Sequence, residues 1–178
     1  MGFGKQRHTT VKRVGTSAVG AVVAAALVVV APAAPADAHT RDKVRRQRAH
    51  VRERGKSQIG ANYSYGGTTP RGFDCSGYTR WTFQEHGANL PHSSIDQFEL
   101  AKRRGYRRIW KKSRLRVGDL VFHKTTSARV GHAGIYIGRG KFISSTSSDG
   151  VRVRSLYDPY YWGPRFVGGT RVPSLIKN

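Results

Sequence analysis

The fold of this chain is decided around the stretch Gly72-Phe73-Asp74-Cys75-Ser76-Gly77. This stretch holds the only cysteine among 178 residues, so Cys75 can form no disulfide within the chain. Such a thiol is a packing residue, an unused side chain or a nucleophile. Its neighbours are polar or small and follow a loop, whereas a structural cysteine is more typical of an apolar run. The surroundings therefore favour a nucleophile.

The residue before the cysteine predicts where the thiol lies in its helix. Aspartate is a preferred N-cap residue, so Asp74 places Cys75 in the first helical turn. The unpaired amides of that turn lower the pKa of a nearby thiol and can bind the oxyanion of a tetrahedral intermediate. Gly77, in the same turn, is expected to leave room for a substrate backbone.

A candidate general base follows about sixty residues later, in Gly131-His132-Ala133-Gly134-Ile135-Tyr136-Ile137-Gly138. The small residues around His132 let a helix N-terminus approach this strand closely. A neutral imidazole there can accept the thiol proton and later protonate the leaving amine. On the sequence alone His132 can equally be an exposed or a core histidine. His123, at the end of the preceding strand, is the alternative base.

Helical signals come before strand signals along the chain. A loop over residues 61–74 precedes a helix that is predicted to end at Gly87, and Ser94-x-x-Gln97 is a capping-box pattern that predicts a second short helix toward Lys102. Helices followed by an antiparallel meander indicate an α+β fold, with N-terminal helices packed on a central antiparallel β-sheet. The predicted strands are Leu120–His123, Val130–Ile137, Lys141–Ser144 and Val151–Ser155, with a tight turn at Gly138-Arg139-Gly140.

The first 38 residues have the pattern of an export signal. Four basic side chains precede an apolar run over about residues 14–31, and Ala36-Asp37-Ala38 offers a cleavage site of small residues. The alternative is a transmembrane anchor, but this run is at the lower limit for crossing a bilayer and it ends at the cleavage pattern. We therefore expect residues 1–38 to be removed as a signal peptide. The basic residues are Lys5, Arg7, Lys12 and Arg13.

The charge of the chain is strongly positive. It carries 32 lysines and arginines against 10 acidic residues, a formal net charge of +22. A charge of this size concentrates a protein on polyanions. We predict no nucleic-acid role, because the sequence has no zinc-ligand spacing and no RNA-binding aromatic motif. For an exported protein the expected polyanions are wall polymers such as teichoic acids.

Residues 39–58 are predicted to form a basic helix that leads into the domain. Val44, Val51 and Ile59 recur at about two-turn spacing and form a narrow apolar stripe. Gly60 is expected to end this helix. The charges of the segment are either a solvated helix face or a contact with a wall polymer.

Several short motifs together resemble the family named after the lipoprotein NlpC, papain-like cysteine peptidases that act on bacterial peptidoglycan. The resemblance covers nearly the whole region after the signal sequence, and it implies a papain-like peptidase domain over residues 59–178. The matching motifs are Gln58-Ile59-Gly60, Tyr63-Ser64-Tyr65-Gly66-Gly67, Phe73-Asp74-Cys75-Ser76-Gly77, Leu90-Pro91 with Gln97, Gly118-Asp119-Leu120-Val121-Phe122 and the segment from Gly131 to Gly138.

The resemblance implies roles for four residues. The family's nucleophile corresponds to Cys75 and its base to His132. Tyr63 corresponds to a tyrosine beside the thiol that positions the substrate or the oxyanion, with packing as its alternative role. Ser144 stands where the family usually has a histidine that orients the base. This departure implies a weaker third residue, a water in its place, or a slow site.

The resemblance also implies a function. It indicates a secreted, wall-associated endopeptidase that cleaves an amide in peptidoglycan stem peptides, commonly between the side-chain carboxyl of D-glutamate and the diamino acid. The reaction passes through an acyl-enzyme, and no metal or cofactor is implied. The alternatives are a wall-binding relative with little or no activity and a transferase in which an amine resolves the acyl-enzyme. We expect the chain to act as a monomer on stem peptides, with anionic wall polymers as further partners.

The aromatic run at the C-terminal end has two interpretations. Tyr157-Asp158-Pro159-Tyr160-Tyr161-Trp162-Gly163-Pro164 can border a substrate groove or pack into the core at the end of the sheet. We favour core packing.

Overall fold

The computed structural model describes residues 1–2, 4 and 36–175. The chain divides into two compact units, Met1–Ala33 and Ala34–Asn178. The helices and strands of the described residues all lie in the second unit. The predicted signal peptide falls outside the described residues except at its two ends, so its removal stays a prediction. No helix of the described part has the length and the apolar character needed to cross a membrane.

The helices of the described residues lie mainly in the first half of the second unit. Three short 3-10 helices cover Leu100–Lys102, Lys112–Arg114 and Pro173–Leu175. The α-helices are α1 (Ala36–Lys56), α2 (Cys75–Gln84), α3 (Ser94–Glu99) and α4 (Trp162–Arg165).

The basic helix α1 ends earlier than the sequence predicted. Its last residue is Lys56, and Gly60 lies beyond it in a turn, with a φ of +97°. Val51 is completely buried in the core, whereas Ile59 is 46% exposed, so the predicted apolar stripe does not extend to Ile59. Arg54 adds a cationic contact to α2, because its guanidinium lies 3.7 Å from the ring centre of Trp81.

Six strands form one antiparallel sheet in the order β3-β8-β4-β5-β6-β7. A separate two-stranded ladder joins β1 (Thr68–Thr69) to β2 (Gly72–Phe73) in the loop before α2. The α+β fold with helices before an antiparallel sheet is thus confirmed. The sheet strands are β3 (Arg107–Ile109), β4 (Leu120–His123), β5 (His132–Gly138), β6 (Lys141–Thr146), β7 (Gly150–Ser155) and β8 (Phe166–Arg171).

The predicted meander accounts for four of these strands. Strands β4, β5, β6 and β7 are neighbours in chain order, and β4 has the predicted bounds. The turn at residues 138–140 joins β5 to β6 with all three residues at positive φ, including Arg139 at 52°. The sequence did not predict β3 or β8. The chain returns across the sheet after β7, and β8 pairs with both β3 and β4.

Alternation along the strands divides the core between the two faces of the sheet. Leu120 and Phe122 of β4, with Ile135 of β5, pack in one cluster with residues of α1 and α2. Val121 and Phe142 belong to a second cluster on the other face. Helix α2 packs against β5, and Cys75 in the first turn of the helix lines one cavity with His132 at the start of the strand. The fold therefore brings Cys75 to His132.

Candidate active site

Asp74 caps α2 and fixes the turn that carries the thiol. Its backbone is extended, with φ of −85° and ψ of 177°, as an N-cap residue requires. The carboxylate oxygen Oδ1 accepts hydrogen bonds from the Gly77 amide at 2.6 Å and from the Ser76 hydroxyl at 2.9 Å. The other oxygen, Oδ2, lies 2.8 Å from Nε2 of His92. The predicted cap is present, and it also connects α2 to the loop before α3.

Gln97 ties α3 to the same helical turn. Its Nε2 donates to the carbonyl of Ser76 at 3.0 Å and to that of Pro91 at 2.8 Å, and its Oε1 accepts from the Thr79 hydroxyl at 2.7 Å. The predicted capping box is therefore wrong in its residues. Ser93 is the N-cap of α3, since its Oγ accepts from the backbone amide of Asp96. Gln97 is completely buried and supports α2 instead of capping α3.

Another segment of the same chain packs closely against Gly77. A Cβ at Gly77 would lie 2.0 Å from the carbonyl oxygen of Gly67. The amide of Asp74 also donates to this carbonyl at 3.0 Å. The expectation that Gly77 leaves room for a substrate backbone is wrong, because the loop before β1 occupies that space.

The cysteine and the predicted base line one cavity of about 290 Å³. Cys75 lies close to the start of β5, near the backbone amide of Ala133. Burial raises the pKa of the Cys75 thiol, and the nearby Asp74 carboxylate adds to this effect. The amides of Ala133, Ser76 and Cys75 oppose it. The expected lowering of the thiol pKa by the helix amides is therefore outweighed by loss of solvent.

His132, the first residue of β5, is held as a neutral imidazole. It is 6% exposed, and burial lowers its pKa to about 3, with a further contribution from the positive charge of Arg154. Its ring centre lies 5.0 Å from that of Trp162. The resting pair is accordingly a thiol and a neutral imidazole, an arrangement suited to general-base activation.

Tyr63 lies beside the thiol, as the resemblance implied. It lines the same cavity and forms an isolated bridge with Phe73, two residues before Cys75. Burial raises the pKa of the Tyr63 phenol, and the neighbouring Cys75 adds to the effect. The hydroxyl therefore stays protonated and can donate a hydrogen bond into the cavity.

Ser144 makes no hydrogen bond to the base. Its Oγ and the Nε2 of His132 are both buried, and neither has a hydrogen-bond partner among the described residues. The register of β5 and β6 pairs Ile135 with Ile143, which puts Ser144 beside Gly134 and not beside His132. The serine side chain is too short to reach His132 from this position. The residue that the resemblance places third in the site therefore makes no hydrogen bond to the base in this structure.

His123 is excluded from the cavity by its packing. It is completely buried and stacked on Phe142 with 4.8 Å between ring centres, and neither ring nitrogen has a hydrogen-bond partner in the described part of the chain. Burial lowers its pKa well below the usual range, and the nearby His132 contributes. Of the two candidate bases, His132 is the one that lines the cavity with Cys75.

Two parts of the cavity wall were not assigned from the sequence. Tyr161 and Trp162 line it, and Trp162 also packs on Phe142, so the aromatic run both borders the site and belongs to the core. The end of β6 and the start of the turn that follows it also line the cavity. Asp149 closes this turn, accepting from the hydroxyl of Thr146 and from Nη2 of Arg154, each at 2.6 Å. The aromatic run was the sequence signal for the first wall, and the second had none.

The chain is similar to a known protein family and to known proteins. Residues 60–171 match the model of the NlpC/P60 family. The murein DD-endopeptidase and LD-carboxypeptidase MepS of Escherichia coli K12 is 40% identical over 116 residues, 65% of this chain and 57% of that protein. The gamma-DL-glutamyl hydrolase of Bacillus subtilis is 33% identical over 121 residues, 66% of this chain and 28% of that protein. The chain thus spans little more than half of MepS and a smaller share of the hydrolase.

Solved structures agree with this match. An NlpC/P60 family protein of Bacillus cereus superposes with a TM-score of 0.60 at 31% identity, over 70% of this chain and 39% of that one. The NlpC/p60 domain of the peptidoglycan hydrolase SagA has a TM-score of 0.58 at 26% identity, over 70% of this chain and 98% of that domain. The family match covers more than half of the chain and includes Cys75 and His132, and the fold is the same. This chain belongs to the NlpC/P60 family.

Proposed function

We propose that this protein is a peptidoglycan endopeptidase that uses Cys75 as nucleophile and His132 as general base. The observation that carries the proposal is their shared cavity, in which the thiol lies at the N-terminus of α2 and His132 lies at the start of β5. Relatives named as murein and glutamyl hydrolases support the class of substrate.

The proposed reaction has two halves. His132 accepts the thiol proton while the Cys75 sulfur bonds to the scissile carbonyl carbon, and the carbonyl oxygen becomes an oxyanion that amides of the first turn of α2 stabilise. The imidazolium then protonates the leaving amine as the C–N bond breaks. In the second half water attacks the thioester, with His132 accepting its proton. The carboxylic acid leaves, and the thiol regains its proton.

Tyr63 is proposed to position the substrate in this scheme. Tyr63 lines the cavity with Cys75, and its protonated hydroxyl can donate to the carbonyl oxygen under attack. Ser144 is proposed to have no direct part in proton transfer, because it does not line the cavity and makes no hydrogen bond to the base.

The bond we propose is the amide between the D-glutamate side chain and the diamino acid. One relative is named for gamma-DL-glutamyl hydrolysis, whereas MepS is named for a DD bond. Both bonds therefore belong in the test. Purified protein is incubated with monomeric muropeptides and with cross-linked dimers, and the products are identified by mass.

Cleavage within the monomer between D-glutamate and the diamino acid supports the proposed bond. Separation of the dimer into two intact monomers would assign the DD bond instead. A Cys75→Ala variant is the control, and full activity in that variant would exclude the mechanism. Addition of an amine nucleophile distinguishes hydrolysis from transfer, because transfer adds the mass of the amine to the released fragment.

A second candidate function is a wall-binding protein with a slow or inactive site. The observation that favours it is Nε2 of His132, which has no hydrogen-bond partner among the residues that the structure describes, so no hydrogen bond at this atom orients the base. This candidate takes precedence if the parent chain binds wall material and cleaves neither substrate. Under this function the Cys75→Ala variant should bind wall material as well as the parent does, because binding does not need the thiol.

The proposed organisation follows the sequence predictions. Residues 1–38 act as a signal peptide, residues 39–58 form the basic helix that leads into the domain, and residues 59–178 form the peptidase domain. The protein is proposed to be a secreted monomer held at the wall. N-terminal sequencing of exported protein checks the first boundary, because removal of the signal predicts His39 as the first residue.

A further inference from the structure

An arginine-lined cavity lies away from the candidate active site. It has a volume of about 430 Å³ and lies between α1 and the edge of the sheet where β3 and β8 pair. None of its lining residues lines the cavity of Cys75 and His132. Six of them are arginines from three distant segments of the chain: Arg41, Arg45, Arg48, Arg107, Arg116 and Arg171.

Two buried guanidinium groups form the floor of this cavity. Arg171 donates from Nε and Nη2 to the two carboxylate oxygens of Asp119, at 2.9 and 2.8 Å. Arg48 donates from Nη1 to the carbonyl of Val117 at 2.7 Å and lies 3.5 Å from Asp119. Because both side chains are held by partners in the core, the floor is preformed.

Positive charge exceeds negative charge around this floor. Asp119 is completely buried, and it is the carboxylate that both floor arginines share. Burial lowers the pKa of Arg48, and repulsion from Arg171 and Arg116 contributes, although the attraction of Asp119 opposes it. A bound anion would relieve this repulsion.

The rim adds guanidinium groups that face solvent. Arg41, Arg45, Arg107 and Arg116 are exposed. Among the described residues, the side chains of Arg107 and Arg116 make no ion pair, and Arg45 has only an exposed partner, Asp42, at 3.7 Å. Exposed pairs of this kind contribute little, so these groups are available to a ligand.

The basic surface continues beyond the cavity in two directions. A neighbouring depression shares Arg107, Arg116 and Arg171 and extends past Trp110 and Lys111. Another shares Arg45 and Arg48 and extends to Arg52 along α1. A linear ligand with repeated charges matches this continuity better than a single small ion does.

We propose that this cavity binds a repeating phosphodiester polymer of the cell wall, a polyol phosphate. Guanidinium groups bind phosphate oxygens in pairs, and several at one cavity suit successive phosphates. The choice of a wall polymer rests on the proposed export and wall location of the protein. The polymer holds the enzyme near its substrate while the Cys75 cavity stays free.

The test compares two triple variants of the full chain that lose the same charge. Arg45, Arg107 and Arg116 are changed to Gln in the cavity variant, and the floor residues Arg48 and Arg171 are kept. Arg46, Arg103 and Arg104, which are exposed and lie outside the cavity, are changed to Gln in the control variant. The probe is poly(glycerol phosphate) of defined length, and its Kd is measured by titration at fixed salt.

The cavity variant is expected to bind the polymer at least about tenfold more weakly than the parent, and the control variant less than about threefold more weakly. Equal losses in the two variants would overturn the proposal in favour of diffuse attraction to the net charge. Polyglutamate and single-stranded DNA of the same charge are run in parallel. If the affinity of the cavity variant for either of these ligands falls by as large a factor as its affinity for the polyol phosphate, the assignment to a wall phosphodiester is overturned.

Two further measurements separate this site from other causes. An Arg107→Lys/Arg116→Lys variant keeps the charge but not the planar guanidinium, and it should bind with intermediate affinity even if the glutamine variant folds poorly. Cleavage of soluble muropeptides should be unchanged in the cavity and control variants, because no cavity residue lies at Cys75. Absence of cleavage in the parent would count against the proposed peptidase activity. The polymer-binding measurement would still test the cavity, because it does not depend on cleavage.

Discussion

Burial determines the chemical state of the two central groups. Cys75 has a raised pKa and His132 a lowered one, and the main cause in each case is loss of contact with water. A thiolate–imidazolium pair is therefore not the resting state. The site depends on proton transfer to His132 at the moment of attack.

Alkylation of Cys75 tests this state directly, because the chain has no other cysteine. The rate of reaction with iodoacetamide should rise continuously with pH through 8 and 9, since the thiolate is the reactive form and burial raises the thiol pKa. Mass spectrometry measures the rate. A rate that is already constant from pH 4 to 8 would indicate a preformed ion pair.

The choice between the two histidines gives a second prediction. His132→Ala should reduce cleavage by at least about a thousandfold, because base and nucleophile act as a unit. His123→Phe should keep nearly full activity, since His123 lies outside the cavity among aromatic rings. Steady-state rates on muropeptides measure both effects. The opposite ranking would assign the base to His123.

Ser144 provides the third prediction. Ser144→Ala should change the rate by less than about threefold, because the hydroxyl makes no hydrogen bond with the residues that the structure describes. Ser144→His should hold or raise the rate, because the longer side chain can reach Nε2 of His132. A hundredfold loss in the alanine variant, with its melting temperature unchanged, would make Ser144 a true member of a triad. Activity only in the histidine variant would support the wall-binding function.

The helices position the site through a few polar contacts. Gln97 joins α3 and the loop at Pro91 to the first turn of α2, and Asp74 caps that turn. The turn that carries the nucleophile is therefore held from two sides. Two strands also contribute directly, since β5 supplies His132 and the end of β6 lines the cavity.

Replacement of Gln97 should affect both stability and rate. Gln97→Leu removes the bonds to Ser76 and Pro91 and is expected to lower the free energy of unfolding by about 1–3 kcal/mol, with reduced kcat as the turn loosens. Gln84→Leu, at an exposed position of α2, is the matched control and should do neither. Urea denaturation and steady-state kinetics measure the pair. Equal effects in the two variants would show that Gln97 has no special role.

The whole molecule should lose stability in mild acid because it buries neutral histidines. Burial lowers the pKa of His123 and of His132 below 6.5, so the unfolded chain takes up protons first as the pH falls. The contribution of the buried neutral histidines to the free energy of unfolding is fully present above about pH 7.5 and decreases as the pH falls below about 6.5. For His132 the decrease continues until the pH reaches its folded-state pKa of about 3. Each histidine contributes a slope of up to about 1.4 kcal/mol per pH unit.

His123→Phe isolates one of these contributions. The variant should be more stable than the parent at pH 5 and show a smaller loss of unfolding free energy between pH 7 and 5, because one buried titrating group is gone. Denaturant unfolding across this range measures the difference. Parallel curves for the parent and the variant would mean that His123 does not titrate on unfolding.

Local signals were sufficient for much of the fold and the site. The Asp74 cap predicted the start of α2 at Cys75, and strand-type runs bounded by turn residues predicted β4 to β7, because caps and strand signals depend on neighbours a few residues away. The same motifs pointed to His132 and Tyr63. Each of these residues lines the cavity with Cys75.

Contacts between distant segments were decided by the packed structure. Three features depend on residues that lie apart in the chain. They are the pairing of β8 with β4, the offset of Ser144 from His132, and the contact of Trp162 with the base. The arginine cavity likewise combines α1, β3 and β8. The neutral state of Cys75 and His132 follows from burial, which exists only once the helices cover the sheet. A sequence pattern carries no measure of that burial, so these features required the tertiary structure.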